Sequence, residues 1–266
     1  FAKRGGFLTV VPDMFGATAL PVWIMDAVGA LKEKKKSDSK KRQGWAASLV
    51  ATIGLILQLI FLALPRVLVF FWFNGNAPKK LPMFDSLMAE LRENRGIERI
   101  CIIGYCYGAP ISIRYGRGDR PSDGPAVVAF ATAHGKIRVP DDIKPLVRPG
   151  LFLCADNDFA FPDKARLQAE AMLRARSSSK TSGSESESGS NSTSTTRISG
   201  DSNSNSNGNS DYKFVHYPGA SHGFAVRGDE SDVVVQKAKE DAFQQALAFF
   251  TRPSPRQQQQ EEQEYI

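Results

Sequence analysis

Cysteine and histidine are both scarce in this chain, with three of each among 266 residues. Three scattered cysteines are too few for a framework of disulfide bonds, so the fold must depend on a packed core. Three histidines without a recognisable ligand spacing argue against a metal centre, and we predict no metal and no other cofactor. The few thiols and imidazoles present are therefore individually informative.

Acidic residues are absent between Asp38 and Asp85. Within that stretch, 45–64 carries no charge of either sign, and its twenty residues are enough, at about 1.5 Å each, to cross a bilayer core of roughly 30 Å. A single crossing would however separate the strands predicted at Phe7–Val11 and Ile100–Ile103, which we expect in one sheet. We therefore predict that the hydrophobic insertion 43–77 attaches to a membrane surface as an interfacial or re-entrant hairpin. A hydrophobic cap packed over the functional site is the alternative.

Positive charge is concentrated just before this insertion. The run 32–42 holds seven Lys or Arg and two acidic residues, a balance of +7 − 2 = +5 against +6 for the whole chain. No aromatic residues interleave with it and no recognition-helix pattern is present, so we predict no binding to nucleic acid. Such a run is typical of a solvated loop; at an anionic lipid surface it would instead contribute roughly 1 kcal/mol per basic residue.

The first chemically informative motif is Ile100-Cys-Ile-Ile-Gly104-Tyr-Cys106-Tyr-Gly108. A short apolar strand runs into a Gly-x-Cys-x-Gly turn and a helix start, the pattern of a nucleophile elbow with cysteine in place of serine. We expect both glycines to relieve crowding around a strained turn. Cys101 and the later Cys154 fall inside apolar runs, and we interpret them as structural.

An acid and a histidine follow in the order that an α/β-hydrolase uses. The strand beginning at Leu151 ends in a turn with Asp156 and Asp158, and a strand beginning at Lys213 ends in a loop containing His222. Functional groups of parallel sheets lie just after strands, so we expect Cys106, one of these two acids and His222 to meet at one sheet edge.

These residues resemble the dienelactone hydrolases, cysteine members of the α/β-hydrolase superfamily. The resemblance rests on the elbow, on Asp158-Phe-Ala-Phe-Pro162, on His222-Gly-Phe-Ala-Val-Arg227 and on Val11-Pro12-Asp13. It implies an α/β fold, a mostly parallel sheet flanked by helices. Ala109 replaces a second glycine usual after the elbow. The family's N-terminal part, with a glutamate near the thiol, has no counterpart, so we expect the chain to lack its first strands.

The resemblance also implies roles for individual residues. Cys106 would be the nucleophile, His222 the base and Asp158 the orienting acid, while the N–H of Tyr107 would bind the oxyanion. Asp158 is preferred to Asp156 because of its spacing to the proline. Arg227 is a candidate for contacting a substrate carboxylate, with a solvated charge as the alternative. His134 lies at a strand end and is a second candidate for lining the substrate pocket, whereas His216 reads as a packed or paired histidine.

The remaining segments define one domain. We predict a single hydrolase domain over 1–252, interrupted by the insertion 43–77 and by a Ser/Asn-rich disordered insertion at 177–210, with a disordered tail at 253–266. A helix is expected from Ala165 to Arg176, and another opening at Asp232. A working thiol favours a reducing compartment, so we expect a cytoplasmic protein, and the hydrophobic insertion adds attachment to a membrane as a second expectation.

Two function classes follow from the sequence. The first is a hydrolase that cleaves a carboxylic ester or lactone through a thioester acyl-enzyme. The second is a catalytically inactive, membrane-associated binding protein derived from the same fold. The sequence names no physiological substrate and no oligomeric state.

Overall fold

The computed structural model describes residues 1–21, 24, 53–54, 57, 59–75, 77–118, 127–181, 211–227 and 232–252. They divide into two compact units, which we call the sheet unit (Phe1–Phe7 with Asp85–Ile266) and the helical unit (Leu8–Phe84). The tail 253–266, the run 32–42 and most of the insertion 177–210 lie outside the described residues, as do residues 43–52, 55–56, 58 and 76 of the hydrophobic insertion. The predictions for those segments therefore stay predictions.

The sheet unit alternates strands and helices along the chain, as the apolar runs predict. Its elements are α1 (Ala2–Gly5), β1 (Ile100–Tyr105), α4 (Ala109–Gly116), β2 (Val127–Ala133), β3 (Gly150–Asn157), α5 (Asp163–Thr181), β4 (Tyr212–Ser221) and α6 (Val233–Phe250). Two further helices, α2 (Leu64–Asn74) and α3 (Leu81–Ala89), precede β1 in the chain. The helix predicted from Ala165 to Arg176 is confirmed as α5, which extends to Thr181 and thus into the first residues of the predicted disordered insertion.

The four strands form one parallel sheet in the order β1-β2-β3-β4. Ile102 lies opposite Phe130, Ala131 opposite Leu151, and Leu153 opposite Val215. Because all four strands run the same way, their carboxyl ends share one edge of the sheet, where parallel sheets place their functional groups.

The sheet is covered on both faces, which is why its strands are almost continuously apolar. On one face, Leu151 and Leu153 belong to a buried cluster with Ala242, Ala246 and Phe249 of α6. Helix α6 begins where Asp232 accepts a hydrogen bond from the N–H of Val234 at 2.8 Å, which confirms the predicted helix start.

On the opposite face, aromatic rings fill the space between strands and helices. The rings of Phe130 and Phe152 meet edge to face at 5.7 Å, and those of Phe152 and Phe214 stack at 4.4 Å. Phe130 and Phe152 are fully buried. Rings of this size supply much of the apolar burial that stabilises the domain.

The predicted strand Phe7–Val11 is wrong, because these residues form no strand. Phe7 instead packs against the apolar cluster of α6 and contacts the ring of Phe1 at 6.5 Å. Leu8 and Val11 are largely exposed. A short apolar run was therefore insufficient, since a strand also needs a neighbour with which to pair.

The helical unit contains α2 (Leu64–Asn74), a 3-10 turn at Ala77–Lys80 and the start of α3 (Leu81–Ala89), with wider helical turns at Leu59–Ala63. Asn74 of α2 is buried and donates to Thr18 Oγ1 at 2.9 Å. Among the described residues, no single helix has both the length and the apolar character of a membrane span. Within the part of the chain that the structure describes, one bent pair of helices, Ile60–Asn74 and Ala77–Asn94 at 66° to each other, meets the length and composition criteria when the two are taken together.

Candidate active site

Cys106 occupies the first residue after β1 and has a backbone φ of 49°. This left-handed conformation is uncommon for a residue with a side chain and is typical of strained turns at functional sites. One tight turn, Cys106–Gly108, leads directly into α4. The local geometry is thus that of a strand-to-helix elbow, and the side chain of Cys106 is exposed.

The two elbow glycines differ in what they do. A Cβ on Gly104 would lie 2.2 Å from the carbonyl oxygen of Gly108 and 2.6 Å from Ser112 Oγ, so this position excludes any side chain. A Cβ on Gly108 would meet nothing within 4 Å. The crowding predicted at both glycines is therefore found at Gly104 and is absent at Gly108.

Ala109, which departs from the family pattern, fits because of a glycine elsewhere. A Cβ on Gly135 would lie 1.9 Å from the Cβ of Ala109 and 3.0 Å from the carbonyl oxygen of Cys106. Gly135 follows β2 and therefore leaves room for both Ala109 and the elbow backbone. No signal near the elbow motif indicates this pairing, because the two residues lie on different turns.

Two hydrogen-bond contacts join the three residues that the sequence selects. Cys106 Sγ lies 3.4 Å from His222 Nε2, and His222 Nδ1 lies 2.8 Å from Asp158 Oδ1. Asp158 Oδ1 also accepts the N–H of Ala160 at 2.8 Å. Residues 116 and 64 positions apart along the chain are thus brought into one row, because each follows a strand of the same parallel sheet. We call this row the Cys–His–Asp cluster.

The contacts shift the ionisation of all three groups toward the charged forms. Hydrogen bonding to Asp158 and then to Cys106 raises the pKa of His222 to about 9. The hydrogen bond from His222, aided by the N–H of Tyr107, lowers the pKa of Cys106 despite its partial burial. Burial works against ionisation of Asp158, but hydrogen bonds from His222 and Ala160 outweigh it and lower its pKa. The lowered pKa of Cys106 and the raised pKa of His222 both favour the thiolate–imidazolium pair over the neutral pair.

The rival residues of the sequence form a separate pair. Asp156 Oδ2 accepts the N–H of Gly219 at 3.2 Å, and its Oδ1 lies 3.4 Å from His216 Nε2. Asp163 adds a second carboxylate 3.9 Å from that nitrogen. The ligand atoms of these three residues lie within 4.8 Å of one another, and all three side chains are partly solvated. Asp156 therefore makes its contacts away from His222.

The remaining predicted site residues have different surroundings. His134 follows β2 as expected, but its side chain is only 2% exposed and its ring meets that of His222 edge to face at 5.3 Å. Arg227 is exposed, and its N–H donates to the carbonyl of Gly223 at 2.7 Å. Their contacts with substrate, and the oxyanion role of the Tyr107 N–H, stay predictions.

Two residues beside the cluster were not selected from the sequence. Phe159 is 83% exposed, and its ring centroid lies 4.5 Å from that of His222. Its position next to Asp158 was an available signal. Thr132 is buried within β2 and lines a cavity with His134 and Asp158. Its place in a continuous apolar strand gave no sign of that role.

Comparisons with known proteins give a consistent picture. The model of the dienelactone hydrolase family matches residues 200–254, which contain β4, His222 and α6. The chain is 25% identical over 189 residues to the hydrolase PyvD of Aspergillus violaceofuscus, covering 71% of this chain and 62% of that protein. It is 25% identical over 172 residues to the hydrolase TropI of Talaromyces stipitatus, covering 64% and 52%.

Among solved structures, a candidate dienelactone hydrolase from Klebsiella pneumoniae overlaps 57% of this chain and 52% of its own, with 20% identity and a TM-score of 0.37. A TM-score of 0.37 is too low for this structural similarity to support any conclusion about the chain. The chain spans 62% and 52% of the lengths of the two curated relatives. Residues 200–254 are therefore similar to the dienelactone hydrolase family, and the described residues form an α/β fold whose four-stranded parallel sheet is covered by helices.

Proposed function

We propose that this protein hydrolyses a carboxylic ester or lactone through a thioester on Cys106. The observation that carries the proposal is the continuous row from Cys106 Sγ through the ring of His222 to Asp158 Oδ1, at 3.4 Å and 2.8 Å. A nucleophile within reach of a base that is itself held by a third group is the arrangement that covalent catalysis requires.

The reaction follows from the charges of the cluster. The thiolate of Cys106 attacks the carbonyl carbon, a C–S bond forms, and the carbonyl π electrons move to the oxygen. The N–H of Tyr107 donates to this oxyanion, a contact worth about 3–4 kcal/mol in comparable sites. The intermediate collapses with loss of the alkoxide, which takes the proton from the imidazolium of His222.

Water then resolves the thioester. His222, now neutral, removes a proton from the water as it attacks the acyl carbon, and the C–S bond breaks to return the thiolate. Asp158 holds His222 in the tautomer with hydrogen on Nδ1 and stabilises the imidazolium in both half-reactions. For a lactone, the alkoxide stays attached to the acyl group, so ring opening gives one hydroxy acid.

The activity test uses the full-length protein on aryl esters, with Cys106→Ala and His222→Ala. Both variants are expected to lose nearly all esterase activity, because each removes a group that forms or breaks a bond. The other two cysteines provide matched controls. Burial raises the pKa of Cys101 to about 11 and also raises that of Cys154, so both thiols stay protonated and Cys101→Ala should retain activity. Activity that survives Cys106→Ala and His222→Ala would contradict the proposal.

A trapping experiment separates the thioester route from general-base hydrolysis. Rapid quenching during turnover of a slow ester should give the acyl group covalently attached to Cys106, detectable by peptide mass spectrometry. His222→Ala should slow deacylation and acylation alike. A protein that hydrolyses esters without an acyl-Cys106 species at any time would require a different mechanism.

A second candidate function rests on the helical unit. Most apolar side chains of Ile60–Phe73 are exposed: Ile60, Phe61, Leu62, Leu64, Leu68, Val69, Phe71, Trp72 and Phe73. The only charge within this segment is Arg66, and Lys79 and Lys80 follow it. We propose that this segment attaches the protein to an anionic membrane surface on the cytoplasmic side, either beside the hydrolase activity or in its place.

Vesicle sedimentation tests this attachment. The full-length protein should pellet with vesicles containing phosphatidylserine, and less with phosphatidylcholine alone, because basic residues flank the apolar segment. Trp72→Ser should weaken sedimentation, whereas Val233→Ser, an exposed apolar residue of α6 in the sheet unit, should leave it unchanged. Protein that stays in the supernatant with both vesicle types would rule out attachment.

A further inference from the structure

One small cavity lies beside the Cys–His–Asp cluster and gathers buried polar atoms that have no partner. Within the described part of the chain, Thr132 Oγ1, both ring nitrogens of His134 and Asp158 Oδ2 are buried without a hydrogen bond. All three residues line the same cavity, whose volume is about 10 Å³. Its remaining walls are largely apolar and include Phe152 and Leu153.

Such atoms require a partner. Buried polar groups are almost always bonded to protein or to an ordered water, because an unpaired one has lost its hydration without replacement. A volume of this size is close to the smallest that admits one water molecule, and a buried water normally makes about three hydrogen bonds. The cavity offers a hydroxyl, an imidazole and a carboxylate oxygen, which suits one water.

We propose that one buried water joins Thr132 and His134 to Oδ2 of Asp158, and that these two residues position the acid of the Cys–His–Asp cluster. The inference rests on the proposed function for its catalytic meaning. The Thr132 hydroxyl and one N–H of His134 can each donate a hydrogen bond to the water, and the water can in turn donate to Oδ2 of Asp158.

The consequence concerns the geometry of Asp158. Its Oδ1 is already occupied by His222 Nδ1 and the N–H of Ala160. A hydrogen bond to Oδ2 fixes the rotation of the carboxylate, so that Oδ1 stays directed at His222. It also offsets the burial of the negative charge, which otherwise favours protonation.

His134 suits this place because its ring stays neutral. Burial lowers its pKa to about 4, so it carries no charge at neutral pH. A cation there would repel the imidazolium of His222, whose ring is 5.3 Å away. The other titratable neighbours are Tyr105, whose ring lies 6.1 Å from that of His134, and Cys154 in the cavity wall. Burial raises the pKa of both, leaving Asp158 and His222 as the charged neighbours.

The first test measures the thiolate of Cys106 directly, by its ultraviolet absorbance as a function of pH, with Cys106→Ala as the blank. Thr132→Val removes the hydroxyl at nearly constant shape, and Thr132→Ser retains it. Thr132→Val should raise the pH at which the thiolate forms, by up to about one unit, because the water loses a partner and Asp158 Oδ1 is held less firmly against His222. Thr132→Ser should titrate as the unmodified protein does.

His134 is tested in the same way. His134→Leu removes both ring nitrogens and should shift the titration as Thr132→Val does, while His134→Gln keeps a donor and should restore most of the shift. If both apolar variants lower the melting temperature but leave the thiolate titration unchanged, the residues are merely structural and the positioning role is wrong. Because no turnover is measured, this result is independent of whether the protein hydrolyses esters.

The water itself is tested by crystallography of the unmodified protein and of Thr132→Val. Density for one water within hydrogen-bond distance of Asp158 Oδ2 and Thr132 Oγ1 is expected, with that density lost in the variant. A direct hydrogen bond between Thr132 and Asp158, or a cavity without density, would overturn the bridging arrangement. Because this observation is made on the unmodified protein, it holds even if the variants fold poorly.

Discussion

Replacing Asp158 by asparagine is the change that most directly tests the electrostatics of the Cys–His–Asp cluster. The hydrogen bond to Asp158 is the largest of the causes that raise the pKa of His222 from 6.5 to about 9. Asparagine keeps the size of the side chain but removes its charge, and it can present an N–H toward His222 Nδ1. The wrong tautomer of the imidazole is then favoured.

The size of the effect follows from the pKa values. A rise from 6.5 to about 9 corresponds to roughly 3 kcal/mol of preference for the imidazolium. Since Asp158 supplies the largest share, with Cys106 second, its loss should lower the upper limb of the pH–rate profile by about one to two units. The value of kcat/KM at neutral pH should fall by a factor on the order of 10² to 10⁴, as for other triads that lose their acid.

The assay is hydrolysis of an aryl ester by the full-length protein across the pH range, paired with alkylation of Cys106 by iodoacetamide. Asp156→Asn is the matched control, because Asp156 contacts Gly219 and His216 rather than His222. It should keep both the rate and the profile. The electrostatic reasoning would be refuted if Asp158→Asn left the upper limb of the pH–rate profile unmoved and kept kcat/KM within about threefold of the parent. A threefold change corresponds to less than about 1 kcal/mol in the activation barrier.

Three further predictions concern stability and the elbow. Burial lowers the pKa of His134 to about 4 in the folded protein, from 6.5 in the unfolded chain. Its contribution to the free energy of unfolding is therefore fully present above pH 6.5 and is lost as the pH falls through 4. Urea titrations should show a loss of about 3 kcal/mol over this range that His134→Phe does not show. Gly104→Ala should abolish activity and destabilise the fold, because its Cβ would lie 2.2 Å from the Gly108 carbonyl oxygen, whereas Gly108→Ala should fold normally in thermal melts. Phe152→Ala should cost about 3–5 kcal/mol in unfolding free energy by denaturant titration, and a cost below about 1 kcal/mol would contradict its place in the core.

Local pattern was sufficient wherever a short segment decides its own structure. The apolar run before Cys106 and the Gly-x-Cys-x-Gly turn indicate a strand and an elbow, and both are present. The cap at Asp232 likewise identifies the start of α6. These features depend on neighbouring residues and backbone sterics, which a sequence states directly.

Contacts between segments that are distant in the sequence were harder to predict from the sequence. Phe7–Val11 has the composition of a strand but forms none, because a strand requires a partner and Phe7 packs on α6 instead. Gly108 is a glycine of the elbow motif, but a Cβ at this position would meet no neighbouring atom within 4 Å. The glycine that makes room for Ala109 is Gly135, which follows a different strand. Long-range contacts of this kind cannot be inferred from the residues on one side alone.

By itself, the sequence determined the family resemblance, the alternation of strands and helices, and the choice of Cys106, Asp158 and His222 in that order. The tertiary structure decided which acid faces the histidine, that His134 is buried behind that pair rather than open to solvent, and that Thr132 shares a cavity with Asp158. The physical reason is that side chains at the carboxyl ends of parallel strands become neighbours through the register and order of the sheet. Those are set by packing over the whole domain.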